Sequence, residues 1–424
     1  MTQGERDDHV KPLAKTTRRR FLEGAASLAA TAPALARTGK GQATSASRSI
    51  LAYVGTYSSP RGPEGAQGRG QGIYLFEMNP ATGVLKQRDV FPNDGNPACL
   101  AFDPSRTHLY SANEDAGFQG TKSGSISAYA IDRATGHLTL LNAVSSEGDG
   151  GPAHMSVHPS GRFAFAANYE AGTVAVLPIR ANGALGPATD VIENHGTVGP
   201  DHATDAPKGS FAISGHEHAH AHMIQSDAAG RYVFSPDLGL DQIFIWKFDA
   251  DKGKLMPHDP PSVVLPPGDG PRHFTFHPNG RWFYSIQEEA STLVTYDYDA
   301  KNGTPTPKQT VSTLPKGYAG TNFTSALMVS ADGKALYAAN RLHDSIAWFT
   351  INPTTGTLTF AGEEWTRGDY PRTFNIDPTG NFLYSCNQRA DNITAYRVNR
   401  QSGALTFTGQ YTPVGTAAMI VFLT

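Results

Sequence analysis

From residue 50 onward, short apolar runs alternate with clusters of Gly, Pro, Asn and Asp. Runs of about 4–8 residues bounded by turn residues predict β-strands. Six stretches share one order of apolar strand, tight turn and apolar strand: "CLAFDPSRTHLYSAN", "MSVHPSGRFAFAAN", "MIQSDAAGRYVFSPD", "FTFHPNGRWFYSIQ", "LMVSADGKALYAAN" and "FNIDPTGNFLYSCN". A third strand follows each after a polar break, as in "GSISAYAID" and "STLVTYDYD". Then comes a turn, often Thr-Gly-x-Leu, and a more variable fourth strand.

The turn positions Pro104, Pro159, Ala228, Pro278, Ala331 and Pro378 are equivalent points, spaced 55, 69, 50, 53 and 47 residues apart. Four strands in about fifty residues is the period of a β-propeller blade. One blade alone exposes an apolar face, and stacking in a ring buries it. Six repeats leave "ILAYVGTY", "GIYLFEMNP" and "VLKQRDVF" at one end and "AAMIVFL" at the other. Together they supply a seventh blade, closed by the two ends of the chain. The expectation is an all-β, seven-bladed β-propeller of four-stranded blades over residues 50–424.

Register within the repeat points to a site. The first strand of a blade lines the central channel, and the second runs back beside it. The start of one and the end of the other meet at the same rim. Six residues before each turn marker stand Ala98, Ala153, His222, Arg272, Ser325 and Arg372. The next column reads Cys99, His154, Met223, His273, Ala326 and Thr373. Ten residues after each marker stand Glu114, Tyr169, Leu238, Glu288, Arg341 and Gln388. Buried polar and charged groups without partners are costly, so a ligand explains this gathering at one mouth better than a water-filled channel of hydrogen-bonded side chains does.

Composition narrows the field. The 44 Gly, 29 Pro, 16 Tyr and 21 Phe suit many short strands joined by turns. The 424 residues carry a net charge of −3, which gives no electrostatic case for nucleic acid or an anionic membrane. Cys99 and Cys386 are the two cysteines, so a disulfide framework is excluded. They read as buried thiols. In residues 1–36, "TTRRRFLEGAASLAATAPALA" combines an Arg pair, a short small-residue apolar run and an Ala-x-Ala end. That predicts a twin-arginine export signal, and hence a periplasmic or secreted protein. Residues 37–49 read as a flexible linker. No later stretch is long and apolar enough to span a bilayer.

Several of these motifs, in their order, resemble the seven-bladed propeller lactonases: "HAHMIQSDAAGRYVFSPDLGLDQIFIWKFD", "GPRHFTFHPNGRWFYSIQEEASTLVTYDYD", "ALYAANRLHDSIAWF", "PAHMSVHPSGRFAFAANY" and "PRTFNIDPTGNFLYSCNQ". That family includes the propeller-type 6-phosphogluconolactonase and carboxy-cis,cis-muconate cyclase. The resemblance covers nearly all the chain after residue 50. It implies a catalytic set of His222 in "HAHM", Arg272 in "GPRH", Glu288 in "QEE" and Arg341 in "ANR". Each also falls in a column found from the repeat alone. His154, Tyr169, His220, His273, Glu114 and Arg372 are the expected substrate-binding neighbours. The chain departs from the family pattern at Gln287, Ala326 and Thr373, which bears on the substrate.

The resemblance implies hydrolysis of a small sugar-type lactone by water, with Glu288 or His222 as base and the arginines as charge stabilisers. No cofactor is expected, and the partner is a small lactone or sugar acid bound by a monomer. An export signal fits an unphosphorylated lactone, because sugar phosphates belong to the cytosol. A muconate-type cycloisomerase and a non-catalytic ligand-binding propeller remain as alternatives. "GHEHAHAH" stays open between a metal site, an active-site strand and a polar loop. In an extended strand His216, His218, His220 and His222 would share one face. The preceding insertion, "HGTVGPDHATDAPKGSFAISG", reads as a lid.

Overall fold

The computed structural model describes residues 49–60, 67–213 and 215–424. The expected export signal and nearly all of the expected linker lie outside the described residues. Among these, the strands form seven antiparallel sheets of four. The rest is loops and one 3₁₀ turn at Phe118–Gly120. Among the described residues, no helix is long and apolar enough to cross a membrane.

Blade 1 is built from both ends of the chain, in the order Ala417–Leu423, Ile50–Thr56, Gly72–Met78, Leu85–Pro92. Blades 2 to 7 each use four consecutive strands. Their innermost strands are Pro97–Phe102, Pro152–Val157, Gln225–Ser226, Pro271–Phe276, Thr324–Val329 and Pro371–Ile376. Neighbouring inner strands adjoin around the ring, with Ala417–Leu423 between the seventh blade and the second. Ring closure by the last strand removes the open sheet edge.

The second strands, Phe163–Asn168, Trp282–Gln287, Ala335–Asn340 and Phe382–Asn387, are buried at every residue. Adjacent blades cover both of their faces, which is why they read as near-continuous apolar runs. The core therefore lies between blades. Phe234, Phe274, Phe283 and Tyr296 pack blade 4 on blade 5, and Tyr337, Phe374, Leu383 and Tyr396 pack blade 6 on blade 7.

A hydrogen-bonded latch repeats around the ring. Tyr53, Tyr110, Tyr284, Tyr337 and Tyr384 hold one register of the second strand. Each donates its hydroxyl to a glycine carbonyl in a Gly-x-Leu turn of the next blade: Gly136, Gly183, Gly356, Gly403 and Gly83, at 2.7–2.9 Å. The last joins blade 7 to blade 1. Phe165 and Phe234 occupy this register in blades 3 and 4. Blade 4 instead uses Tyr232, which donates to the Lys301 carbonyl at 2.8 Å.

Candidate active site

A β-bulge at the head of the inner strands makes the mouth. In a regular strand Arg272 and His273 would face opposite ways. Here the register against the second strand shifts between Pro271 and His273, so Arg272 is the extra residue. Ala98, Ala153 and Arg372 sit at the same shift in blades 2, 3 and 7. In blade 4, Ala221 faces Asp237 and Gln225 faces Phe234, which leaves one extra residue on the inner strand. The extra residue re-aims a side chain at the rim, and the first two sequence columns both reach the mouth for that reason.

The third column is held from behind. The polar residue that ends most second strands ties back to the segment leaving the previous blade. Asn168, Asn340 and Asn387 donate to the carbonyls of Ser146, Thr313 and Thr366, and Asn113 accepts from Asn93. The residue that follows each tie, respectively Tyr169, Arg341, Gln388 and Glu114, is thereby fixed at the rim.

At the centre, Oε2 of Glu288 lies 2.8 Å from Nε of Arg272 and 2.6 Å from an Nη of Arg341. The two arginines are only 1% and 2% exposed, so the carboxylate between them offsets much of the cost of burying their charge. Arg272 also donates to the Ser325 carbonyl at 2.5 Å. Arg341 donates to the Tyr370 hydroxyl at 3.0 Å and lies over the Tyr370 and Phe323 rings. Burial, with the like charges of Arg341 and Arg372, lowers Arg272 to a pKa of about 10, still protonated at neutral pH.

Three imidazoles line the wall beside this clamp. His273 sits 5.1 Å from His222 and 5.7 Å from His154, between ring centroids. Burial, followed by the charge of Arg272, holds His222 and His273 well below the ordinary histidine range and His154 at about 3. All three are neutral at pH 7. His154 Nδ1 accepts from the Ile224 amide, whereas Nδ1 of His222 has no hydrogen-bond partner. The Tyr169 ring stands edge-on to His222 at 5.4 Å and stacks on His220 at 4.3 Å. On the far side, Glu114 accepts from the Tyr57 hydroxyl at 2.6 Å and from Arg372 at 3.4 Å. Nine of the ten expected site residues thus gather at one mouth, and His220 stands beside it, stacked on Tyr169 with its ring turned to the Tyr169 carbonyl.

The four histidines do not share one face. Residues 215–220 turn rather than extend, and the rings point into different surroundings. His216 is buried between Asp241 and Glu289, 3.4 Å from a carboxyl oxygen of each. Burial opposes its charge, but the two carboxyls prevail and raise its pKa to about 10. His218 faces the Glu170 carbonyl, His220 faces the Tyr169 carbonyl, and His222 enters the mouth. The insertion runs along the rim. Gly199 donates to Gly239, Phe211 to Thr321, and Gly320 to the Lys208 carbonyl. These bonds dock it on loops of blades 4 and 5.

The columns passed over Tyr57 and Tyr370. Tyr57 is the blade 1 counterpart of Glu114 and Glu288, one residue beyond Ile50–Thr56. It was missed because blade 1 lacks the turn marker from which the columns were counted. Tyr370, at φ 64°, precedes Pro371 and has no signal in the repeat.

The pattern described as "Lactonase, 7-bladed beta-propeller" matches residues 51–422. The chain belongs to this lactonase family. It is 32% identical to the 6-phosphogluconolactonase of Bacillus subtilis over 330 residues, 78% of this chain and 85% of that one. A 6-phosphogluconolactonase of Formosa agariphila is 31% identical over 326 residues, 73% of this chain and 83% of its own. Among solved structures, the periplasmic gluconolactonase of Pseudomonas aeruginosa superposes with a TM-score of 0.78 at 30% identity, covering 89% of this chain and 99% of that one. As a member, this protein is a lactonase, an enzyme of the 6-phosphogluconolactonase-like hydrolases.

Proposed function

We propose that this lactonase is exported and hydrolyses a small, unphosphorylated sugar lactone. The carrying observation is the Glu288 clamp on Arg272 and Arg341 beside a neutral, unpartnered His222. Oε2 of Glu288 is engaged by both guanidiniums, which casts Glu288 as the positioner. His222 takes a proton from water as the water oxygen attacks the lactone carbonyl carbon. The guanidinium N–H groups of Arg272 and Arg341 stabilise the oxyanion. The ring C–O bond then breaks, and the proton on His222 passes to the leaving alkoxide. The product is a hydroxy acid.

Two features support an unphosphorylated substrate. Each mouth arginine has a carboxyl partner, Glu288 or Glu114, which offsets part of the positive charge that would favour a phosphate. The reading of residues 1–36 as a twin-arginine leader also supports a location outside the cytosol, as does the likeness to a periplasmic gluconolactonase.

The test is proton release in weak buffer from glucono-1,5-lactone, its 6-phosphate and a γ-lactone, corrected for spontaneous opening. The unphosphorylated sugar lactone is expected to have the highest kcat/KM. A preference for the phosphate would overturn the substrate assignment. No release from any lactone, with a diene absorbance change on a muconate, would replace hydrolysis by cycloisomerisation.

A further inference from the structure

Beside the mouth, Glu217, His218 and His220 bring one carboxylate oxygen and two imidazole nitrogens within 4.8 Å of one another. Two successive carbonyls fix the tautomers of the rings. Nδ1 of His220 lies 3.1 Å from the Tyr169 carbonyl oxygen, and Nε2 of His218 lies 2.9 Å from that of Glu170. A carbonyl only accepts, so each of these nitrogens carries a proton. In the neutral rings Nε2 of His220 and Nδ1 of His218 are left as lone-pair donors. His220 is fully buried, and no hydrogen bond reaches its Nε2. That nitrogen faces Oε1 of Glu217 at 3.3 Å. Two lone pairs set against each other need a cation between them.

We propose that Glu217, His218 and His220 bind one divalent metal ion of the zinc class. Two imidazoles and a carboxylate are a donor set suited to zinc. Metal-bound histidines typically donate their other N–H to a backbone carbonyl, as both do here. Glu217 and His218 are exposed, so water completes the coordination. The ion ties the 217–220 turn to the Tyr169–Glu170 turn and steadies the Tyr169 ring against His222. It is a clamp on the wall of the mouth and takes no part in bond making. The inference does not depend on which lactone is hydrolysed.

Untagged full-length protein, stripped with chelator, is titrated with Zn²⁺ by calorimetry and with Co²⁺ by visible absorption. One ion per chain is expected, with the Co²⁺ bands of imidazole coordination. His218→Ala and Glu217→Gln should each weaken binding at least tenfold, with unchanged circular dichroism. His195→Ala, at an exposed histidine beside Glu193, should leave it unaltered. Absence of binding, binding that survives both substitutions, or binding lost in His195→Ala overturns the proposal. In the second case Glu217 and a doubly protonated His220 form a simple ion pair.

Discussion

At the residue scale the proposed acceptor and positioner can be tested apart. His222→Ala removes the proposed base and should lower kcat by about 10²–10⁴. Glu288→Gln keeps the shape but leaves Arg272 and Arg341 facing each other without a counter-charge. A loss of more than tenfold is expected, and steady-state kinetics of both variants checks the pair. Unchanged turnover in both would sink the assignment. Asp269 offers a stability test away from the chemistry. Burial, followed by the charges of Asp205 and Asp241, pushes its carboxyl up to about 7. Its Oδ1 has no hydrogen-bond partner. A carboxyl pKa raised on folding favours the fold below the unfolded value near 4, and that contribution is lost as pH rises through about 7. Asp269→Asn should therefore be more stable than the parent at pH 8, by on the order of 2–4 kcal/mol, and nearly equal to it near pH 4. Urea midpoints at the two pH values decide it.

At the scale of elements, the bulge and the terminal Asn do different work. The bulge turns Arg272 and Arg372 toward the mouth, and the Asn ties hold Arg341 and Tyr169 at the strand ends. The columns were legible in the sequence because every blade repeats the same register. The bulge was not, because one extra residue leaves no mark when the partner strand is unknown. It explains why two adjacent columns both held polar residues. The insertion before blade 4 hangs on His216, held between Asp241 and Glu289 in the loops of two blades. Breaking one side of a buried ion pair costs about 3–5 kcal/mol. His216→Ala should speed limited proteolysis within residues 195–215 while the blades stay intact. A cleavage rate equal to the parent's would show that the other rim contacts suffice.

At the scale of the molecule, stability belongs to the closed ring. Ala417–Leu423 is the inner strand of blade 1, and Ala417, Ala418, Ile420, Phe422 and Leu423 are buried. Removing residues 417–424 leaves a seven-residue strand, Ile50–Thr56, with an unpaired edge facing the channel. The truncated chain should lose cooperative thermal unfolding by circular dichroism. A sharp transition near the parent's would show that the ring closes without the inner strand of blade 1.

The sequence by itself determined the seven blades, the shared first blade and the rim on which the chemistry lies. A period of about fifty residues specifies register, and register specifies which positions face the channel. It also put His222, Arg272, Glu288 and Arg341 on that rim, because all four fall in columns fixed by the repeat. Only the tertiary structure shows how they are arranged. Glu288 is a clamp because two arginines from different blades converge on it, and their distance is not written in either motif. The four histidines of "GHEHAHAH" share a spacing, yet His216 meets Asp241 and Glu289, His218 and His220 meet the Tyr169–Glu170 turn, and His222 enters the mouth. Their chemistry follows from those long-range contacts, which no local pattern encodes.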